Sequence, residues 1–268
     1  MKTFFVLASL TLFLAACGQS DEPAAVAAPE VAEVAAPEVT ETPMQSSAAS
    51  GELLVDYIWN NTADDMTEAQ MAGIIDGWNA RIDAGGYNML GANVLMPQFE
   101  TDDYDLIWVV MWPSSEAREA GWADWNANQV DDWTAELAGA MSYEPENVYT
   151  FKPTDGHDGM EDIAVGGTFH PRFDFCSFNE GQDEASLAAF RAEYDAWLVE
   201  GESNNYGYYL MEPQFDLADA DFVWLDLFGD EAALEAGTAS WTGSALEASW
   251  EAMATCENFA FLATAIRR

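Results

Sequence analysis

From Leu53 onward the apolar positions alternate between two periods, in an order that occurs twice. The first series opens with "LLVDYIW" at Leu53–Trp59, which has the apolar, β-branched and aromatic character of a strand. Met71, Ile74, Ile75, Trp78 and Ile82 then fall at i, i+3, i+4, i+7 and i+11, one face of a helix. Thr67 with Gln70 predicts a capping box at its start, and Gly85-Gly86 its end. Two strands follow, one ending at Met96 and one starting near Asp105, with "MPQFE" and the Asp-rich "TDDYD" between them. A longer, Gly-interrupted helical stretch begins after Pro113, and "NVYTF" closes the series as a strand. The second series repeats this order, with Leu187, Phe190, Tyr194, Trp197 and Leu198 on the inner stripe of its first helix.

A spacing of 116 ties the two series together. It relates Pro97-Gln98-Phe99 to Pro213-Gln214-Phe215, Gly85 to Gly201, Trp108 to Trp224, Glu119 to Glu235, Gly121 to Gly237 and Trp125 to Trp241. At the front the offset reads as 118, Asp56 to Asp174, and at the end as 111, "ENVYTF" answering "ENFAFL". These matches predict a tandem duplication, repeats 51–152 and 166–268 joined by a Gly- and Asp-rich linker 153–165.

The order β-α-β-β-α-β predicts an α+β fold in which each repeat is ferredoxin-like, an antiparallel sheet with helices on one face. The third strand, "DLIWVVMW", is apolar on both faces: Leu106, Trp108, Val110 and Trp112 on one, Ile107, Val109 and Met111 on the other. A sheet covered on one side only must bury its second face. The two sheets are therefore expected to pack into a barrel-like core, with Pro-Gln-Phe-acid as the exit from the second strand of each repeat. On this element order, length and duplication, residues 51–268 resemble the dimeric α/β-barrel superfamily, in members that fuse two ferredoxin-like halves. The resemblance implies a range from haem-dependent enzymes through cofactor-free monooxygenases to proteins with no known reaction.

The chain begins with Met1-Lys2, an apolar stretch and "LAAC", reading as a signal peptide over 1–17. "LAAC" resembles the lipobox of bacterial lipoproteins, which implies lipidation at Cys17, a membrane anchor and, with Gly18 next, sorting to the outer membrane of the cell envelope. Residues 18–50 repeat Ala, Pro, Glu and Val without an aromatic residue, and read as a disordered acidic tether. The chain has 48 acidic against 8 basic residues, a formal net charge of −40. That balance argues against nucleic acid or an anionic lipid surface as partner.

Candidate chemistry is sparse. No cofactor is predicted. Haem needs an axial ligand, and His157 and His170 are the only histidines, neither in a recognisable haem motif. For calcium, "DGHDGMED" and the acidic turns Asp102/Asp103/Asp105 and Asp216/Asp219/Asp221 lack the ligand alternation of a calcium loop, and turns favour Asp in any case. Asp226 interrupts an aromatic strand face where the first repeat has Val110, with Arg172 and Asp174 as expected neighbours. If that face lines the core between the sheets, the carboxylate needs a partner or a cavity. Trp108, Trp112 and Trp125, with Trp224, Phe228 and Trp241, form a candidate aromatic pocket between the repeats, against the plainer reading that they are core. Cys176 and Cys256 form an even pair in an exported chain and are expected to be disulfide-bonded, with Trp59 and Tyr143 in the corresponding places of the first repeat. The leading expectation is a lipid-anchored envelope module that binds a small aromatic or apolar ligand. The alternatives are a cofactor-free monooxygenase-like enzyme, anchoring its substrate on Asp226 or Arg172, and an envelope protein whose acidic surface meets a protein partner.

Overall fold

The computed structural model describes residues 53–200 and 205–268; the leader, Cys17 and the tether 18–50 lie outside the described residues. The elements run β1 (Leu54–Thr62), α1 (Glu68–Gly85), β2 (Gly91–Pro97), β3 (Leu106–Trp112), α2 (Ser115–Asn128), α3 (Val130–Leu137), β4 (Met141–Ser142) and β5 (Val148–His157) in the first half. The second half has β6 (Thr168–Phe178), α4 (Glu184–Glu200), β7 (Tyr206–Pro213), β8 (Phe222–Phe228), α5 (Glu231–Trp241), α6 (Ala245–Met253) and β9 (Ala254–Arg267). The Thr67–Gln70 capping box forms, and Gly86 ends α1 at φ 65°, a left-handed conformation that glycine adopts without a Cβ clash.

Eight antiparallel strands close into a barrel. The order is β3-β2-β9-β6-β8-β7-β5-β1, β1 pairs back onto β3, and β4 adds a short pairing on β1. Each half has its four long strands in ferredoxin-like order, β5-β1-β3-β2 and β9-β6-β8-β7, and the halves join through the β2–β9 and β5–β7 ladders. β5 continues through Pro153 to His157, five residues into the segment expected as linker, because the edge of β7 offers it ladder partners.

The ladders correct the offsets read from sequence. Asp56 lies opposite Val110, and Arg172 opposite Asp226; with Val110 and Asp226 116 apart, Asp56 corresponds to Arg172, not to Asp174. The offset is thus 116 through the first three strands. On the last strand it is 110 rather than 111: Gln98 N–H donates to Ala260 O, and Gln214 N–H to Thr150 O. A one-residue error on a strand exchanges its faces, and the shared "EN" was the misleading signal.

Three apolar layers result. The barrel interior holds Tyr57, Ile107 and Val109 of the first half with Phe173, Val223 and Leu225 of the second. Phe99 and Phe215 from the Pro-Gln-Phe segments pack against it, Phe99 on Phe259 and Phe261, Phe215 on Tyr149 and Phe151. The motif therefore ends a strand, ties it to the other half and contributes a ring to the core. Outside the barrel, α1–α3 cover one sheet face and α4–α6 the other. Cys176 and Cys256 face each other in the β6–β9 ladder and are disulfide-bonded. By the 116 and 110 offsets their counterparts in the first half are Asn60 and Glu146, not Trp59 and Tyr143; Glu146 lies in the turn before β5, and Asn60 is buried and donates to Ile58 O.

Candidate functional site

Strand alternation decides which side chains meet the helices. Leu106, Trp108, Val110 and Trp112 of β3, and Trp224, Asp226 and Phe228 of β8, turn outward beneath their helices, while their neighbours fill the barrel. The expected aromatic pocket between the repeats is therefore corrected. Trp108, Trp112 and Trp125 belong to one helix–sheet layer, Trp224, Phe228 and Trp241 to the other.

The first layer is filled. Trp78, Trp108, Trp112, Trp125 and Trp133 pack there with Ile58 and Ile82 around a residual space of about 60 Å³. At its edge the buried carboxylate of Asp56 accepts hydrogen bonds from Trp112 Nε1 (2.9 Å), Trp122 Nε1 (2.7 Å), Thr150 Oγ1 (2.7 Å) and Arg118 Nε (2.7 Å). With four donors, one of them a guanidinium, this carboxylate is satisfied and structural.

The second layer is hollow. Between the β6–β8 face and α4–α6 lies a cavity of about 1150 Å³, walled by aromatic side chains including Phe190, Tyr194, Trp224, Trp241 and Trp250. One reason is visible residue by residue. Trp122, which reaches Asp56 from α2, has Thr238 as its counterpart on α5, and Thr238 lines the cavity. A threonine leaves unfilled the volume that an indole occupies in the first half.

On the cavity floor the ladder aligns Arg172 with Asp226 and Asp174 with Trp224. Arg172 Nη2 donates to Asp226 Oδ2 at 2.5 Å; Tyr206 Oη and Trp224 Nε1 donate to Asp226 Oδ1 at 2.6 and 2.7 Å. The Tyr206 hydroxyl in turn lies 2.8 Å from that of Tyr194. Asp226 thus gives Trp224 an acceptor, whereas the Trp108 indole beside Val110 has none among the described residues. Burial, reinforced by the Asp226 charge, holds the Tyr206 hydroxyl well above its ordinary pKa.

Asp174 differs from both other buried aspartates. It is 4% exposed, Asn258 Nδ2 donates to its Oδ1, and Arg172 Nε stands 3.7 Å from its Oδ2, beyond hydrogen-bonding distance. No hydrogen bond reaches Oδ2 among the described residues. Burial pushes its pKa up to about 6; the Asp226 charge adds to the rise, while Arg172 and Asn258 oppose it. A carboxyl group that titrates near neutrality, in a cavity, with one free oxygen, can give or take a proton.

Of the residues anticipated for this site, Arg172, Trp224, Asp226, Phe228 and Trp241 are brought together. Trp108, Trp112 and Trp125 are on the other side of the barrel. Asp174 was anticipated only as a neighbour of Asp226. Tyr206, Tyr194 and Asn258 were not anticipated as polar groups; their positions opposite or beside the Asp cluster follow only from ladder register.

The acidic turns have local duties. Asp105 Oδ2 accepts from Thr62 N–H (2.6 Å), and its counterpart Asp221 from Phe178 N–H (2.7 Å). Among the described residues no group of three or more His, Cys, Asp or Glu is placed to hold a metal ion. For haem, His157 lies opposite Tyr208 at the end of β5 and His170 opposite Phe228 on β6, and neither lines the cavity. The lining offers no imidazole or free thiolate, and the Tyr206 phenol is engaged with Asp226. These residues do not fit an axially ligated haem.

No protein-family model matches the sequence, and no curated protein is significantly similar to it. Solved structures share the fold. A protein assigned as a monooxygenase from Fusobacterium nucleatum superposes with TM-score 0.53 at 12% identity, over 81% of this chain and 94% of its own. A mutant chlorite dismutase from Candidatus Nitrospira defluvii gives TM-score 0.50 at 6% identity, over 81% and 94%. Another protein assigned as a chlorite dismutase gives 0.50 at 11% identity, over 80% and 95%. At such identities the likeness establishes the dimeric α/β-barrel fold.

Proposed function

We propose that the hollow helix–sheet layer of the second half is the binding site for a small molecule with a largely apolar body, and that the protein is an enzyme in which Asp174 exchanges a proton with that molecule. The observation that carries this reading is the asymmetry between the halves: about 60 Å³ of residual space in one layer, about 1150 Å³ in the other. Aromatic walls with a few converging polar groups suit such a ligand. In this reading Arg172 and Asp226 form a fixed ion pair that orients the ligand, Tyr206 and Tyr194 hold Asp226, and Asp174 supplies the titrating oxygen. Proteins assigned as monooxygenases and chlorite dismutases share the fold, which puts catalysis within its range.

A saturable quench of tryptophan emission by 2-naphthol, lost in Thr238→Trp, is the expected result. No saturable quench by the wild-type protein, together with a bare native mass, refutes the reading.

The cellular setting is a proposal from residues 1–17. "LAAC" supports lipidation of Cys17 and anchoring in a bacterial cell envelope, outer membrane included. Incorporation of a clickable fatty acid that persists in Cys17→Ser refutes it. The uniform 116 offset through β1, β2 and β3 supports descent of the halves from one duplicated ferredoxin-like unit.

A further inference from the structure

We infer that this cavity selects an organic cation, an ammonium or quaternary ammonium group carried on an apolar body. The inference rests on the reading of the cavity as a small-molecule site and names the class of molecule. Its lining holds five carboxylates, Asp174, Asp226, Asp230, Glu247 and Glu251, against one guanidinium, Arg172. That guanidinium donates to Asp226 through Nη2 and stands beside Asp174, its Nε making no hydrogen bond among the described residues. The cavity therefore keeps a surplus of negative charge, in a chain whose formal charge is −40, and repels an anionic ligand.

Two of the carboxylates have structural duties. Asp230 accepts from Ala233 N–H at the start of α5, and Glu247 from Gly243 N–H before α6. Asp230 also accepts from Asn205 Nδ2, and both groups keep their charge. Glu251 is exposed, whereas Asp174 is nine-tenths buried with Oδ2 free of hydrogen bonds among the described residues. Its nearest cation, Arg172 Nε at 3.7 Å, is too far to donate a hydrogen bond, so the oxygen can still accept from a ligand. The rise of its pKa through burial is the same deficit seen from the proton's side.

A small inorganic cation does not suit the walls. It requires several oxygens converging at short range, and the described residues contain no such group. Phe190, Tyr194, Trp241 and Trp250 are instead what an alkylated ammonium requires, since ring faces attract a weakly hydrated cation and accept its carbon substituents.

Three probes that share a benzyl body separate the class of ligand from the existence of the site: benzyltrimethylammonium, its uncharged carbon isostere neopentylbenzene, and benzylsulfonate. Each is titrated into the purified protein with tryptophan emission as readout. The expected order is cation tighter than neutral isostere by about tenfold, with the anion weakest. Asp174→Asn should remove most of the cation's advantage while the neutral isostere binds as before, and Thr238→Trp should exclude all three. Equal affinity for the three probes, or preference for the sulfonate, overturns the cation inference and leaves the cavity as a binding site. Failure of all three to bind overturns both. An advantage for the cation that survives in Asp174→Asn also overturns the assignment, because the attraction then comes from the general surface charge.

Discussion

Replacing Asp174 by Asn changes one oxygen for an amide and leaves the shape of the cavity floor intact, so its effect on stability isolates the cost of burying the charge. Folded-state burial raises the group from an ordinary 3.8 to about 6. Between these values the folded protein holds a proton that the unfolded chain has released, so stability falls as pH rises. The contribution is fully present below pH 3.8 and lost once pH has passed about 6. At 1.36 kcal/mol per pH unit, the interval from 3.8 to about 6 corresponds to about 3 kcal/mol.

In Asp174→Asn the side-chain carbonyl oxygen remains, and Asn258 can still donate to it. Urea unfolding of the wild type and Asp174→Asn, at half-unit steps from pH 4 to 8, gives a difference curve in which contributions from the other carboxylates cancel. The variant should gain on the wild type by about 2 kcal/mol between pH 4 and pH 7, most steeply near pH 5. A difference curve flat to within about 0.5 kcal/mol, or one sloping the other way, refutes the argument that burial of Asp174 outweighs the help of Arg172 and Asn258.

Other perturbations test the two layers separately. Asp56→Asn places an amide among four donors and leaves Arg118 without its carboxylate partner, and should cost about 3–5 kcal/mol in urea unfolding; a loss under about 1 kcal/mol would contradict the satisfied-carboxylate description. A Cβ at Gly121 would lie 2.5 Å from the Trp112 ring, and one at Gly237 2.7 Å from Phe228. Gly121→Ala in the filled layer should cost about 1–3 kcal/mol, whereas Gly237→Ala should cost less, since Phe228 can give way into the cavity; equal melting shifts would argue against the packing contrast. Removing both Cys176 and Cys256 as alanine should lower stability by about 2–4 kcal/mol by calorimetry, and free thiol in the oxidised wild-type protein would show the bridge absent.

Much of the architecture could be read from periodicity because each signal was local. The stripe from Met71 to Ile82, the Thr67–Gln70 cap and the doubly apolar "DLIWVVMW" each follow from chain geometry within a few residues. The place of the site could not be read in the same way. Which face of β8 turns inward depends on the twist and closure of the whole sheet, and both faces are apolar, so Asp226 could be assigned to either layer. The significance of Asp174 depends on Asn258 and Arg172 reaching it from positions fixed by ladder register, and the similarity of "ENVYTF" to "ENFAFL" pointed to a register one residue away. Hollowness is equally invisible in sequence. Thr238, standing where the first half has Trp122, is an ordinary helix residue until the space above Arg172 is seen.

The β2–β9 and β5–β7 ladders give neither half an open sheet edge; each closes the other. In a barrel assembled from two identical chains, every substitution appears twice, and whatever hollows one helix–sheet layer hollows both. A single chain that carries both halves is free of that constraint. One layer is densely filled with tryptophan and supplies rigidity, while its counterpart has less bulk and holds an arginine and two aspartates. The closed barrel thus lets a near-symmetric framework carry an asymmetric interior, in which the filled half supports the open one.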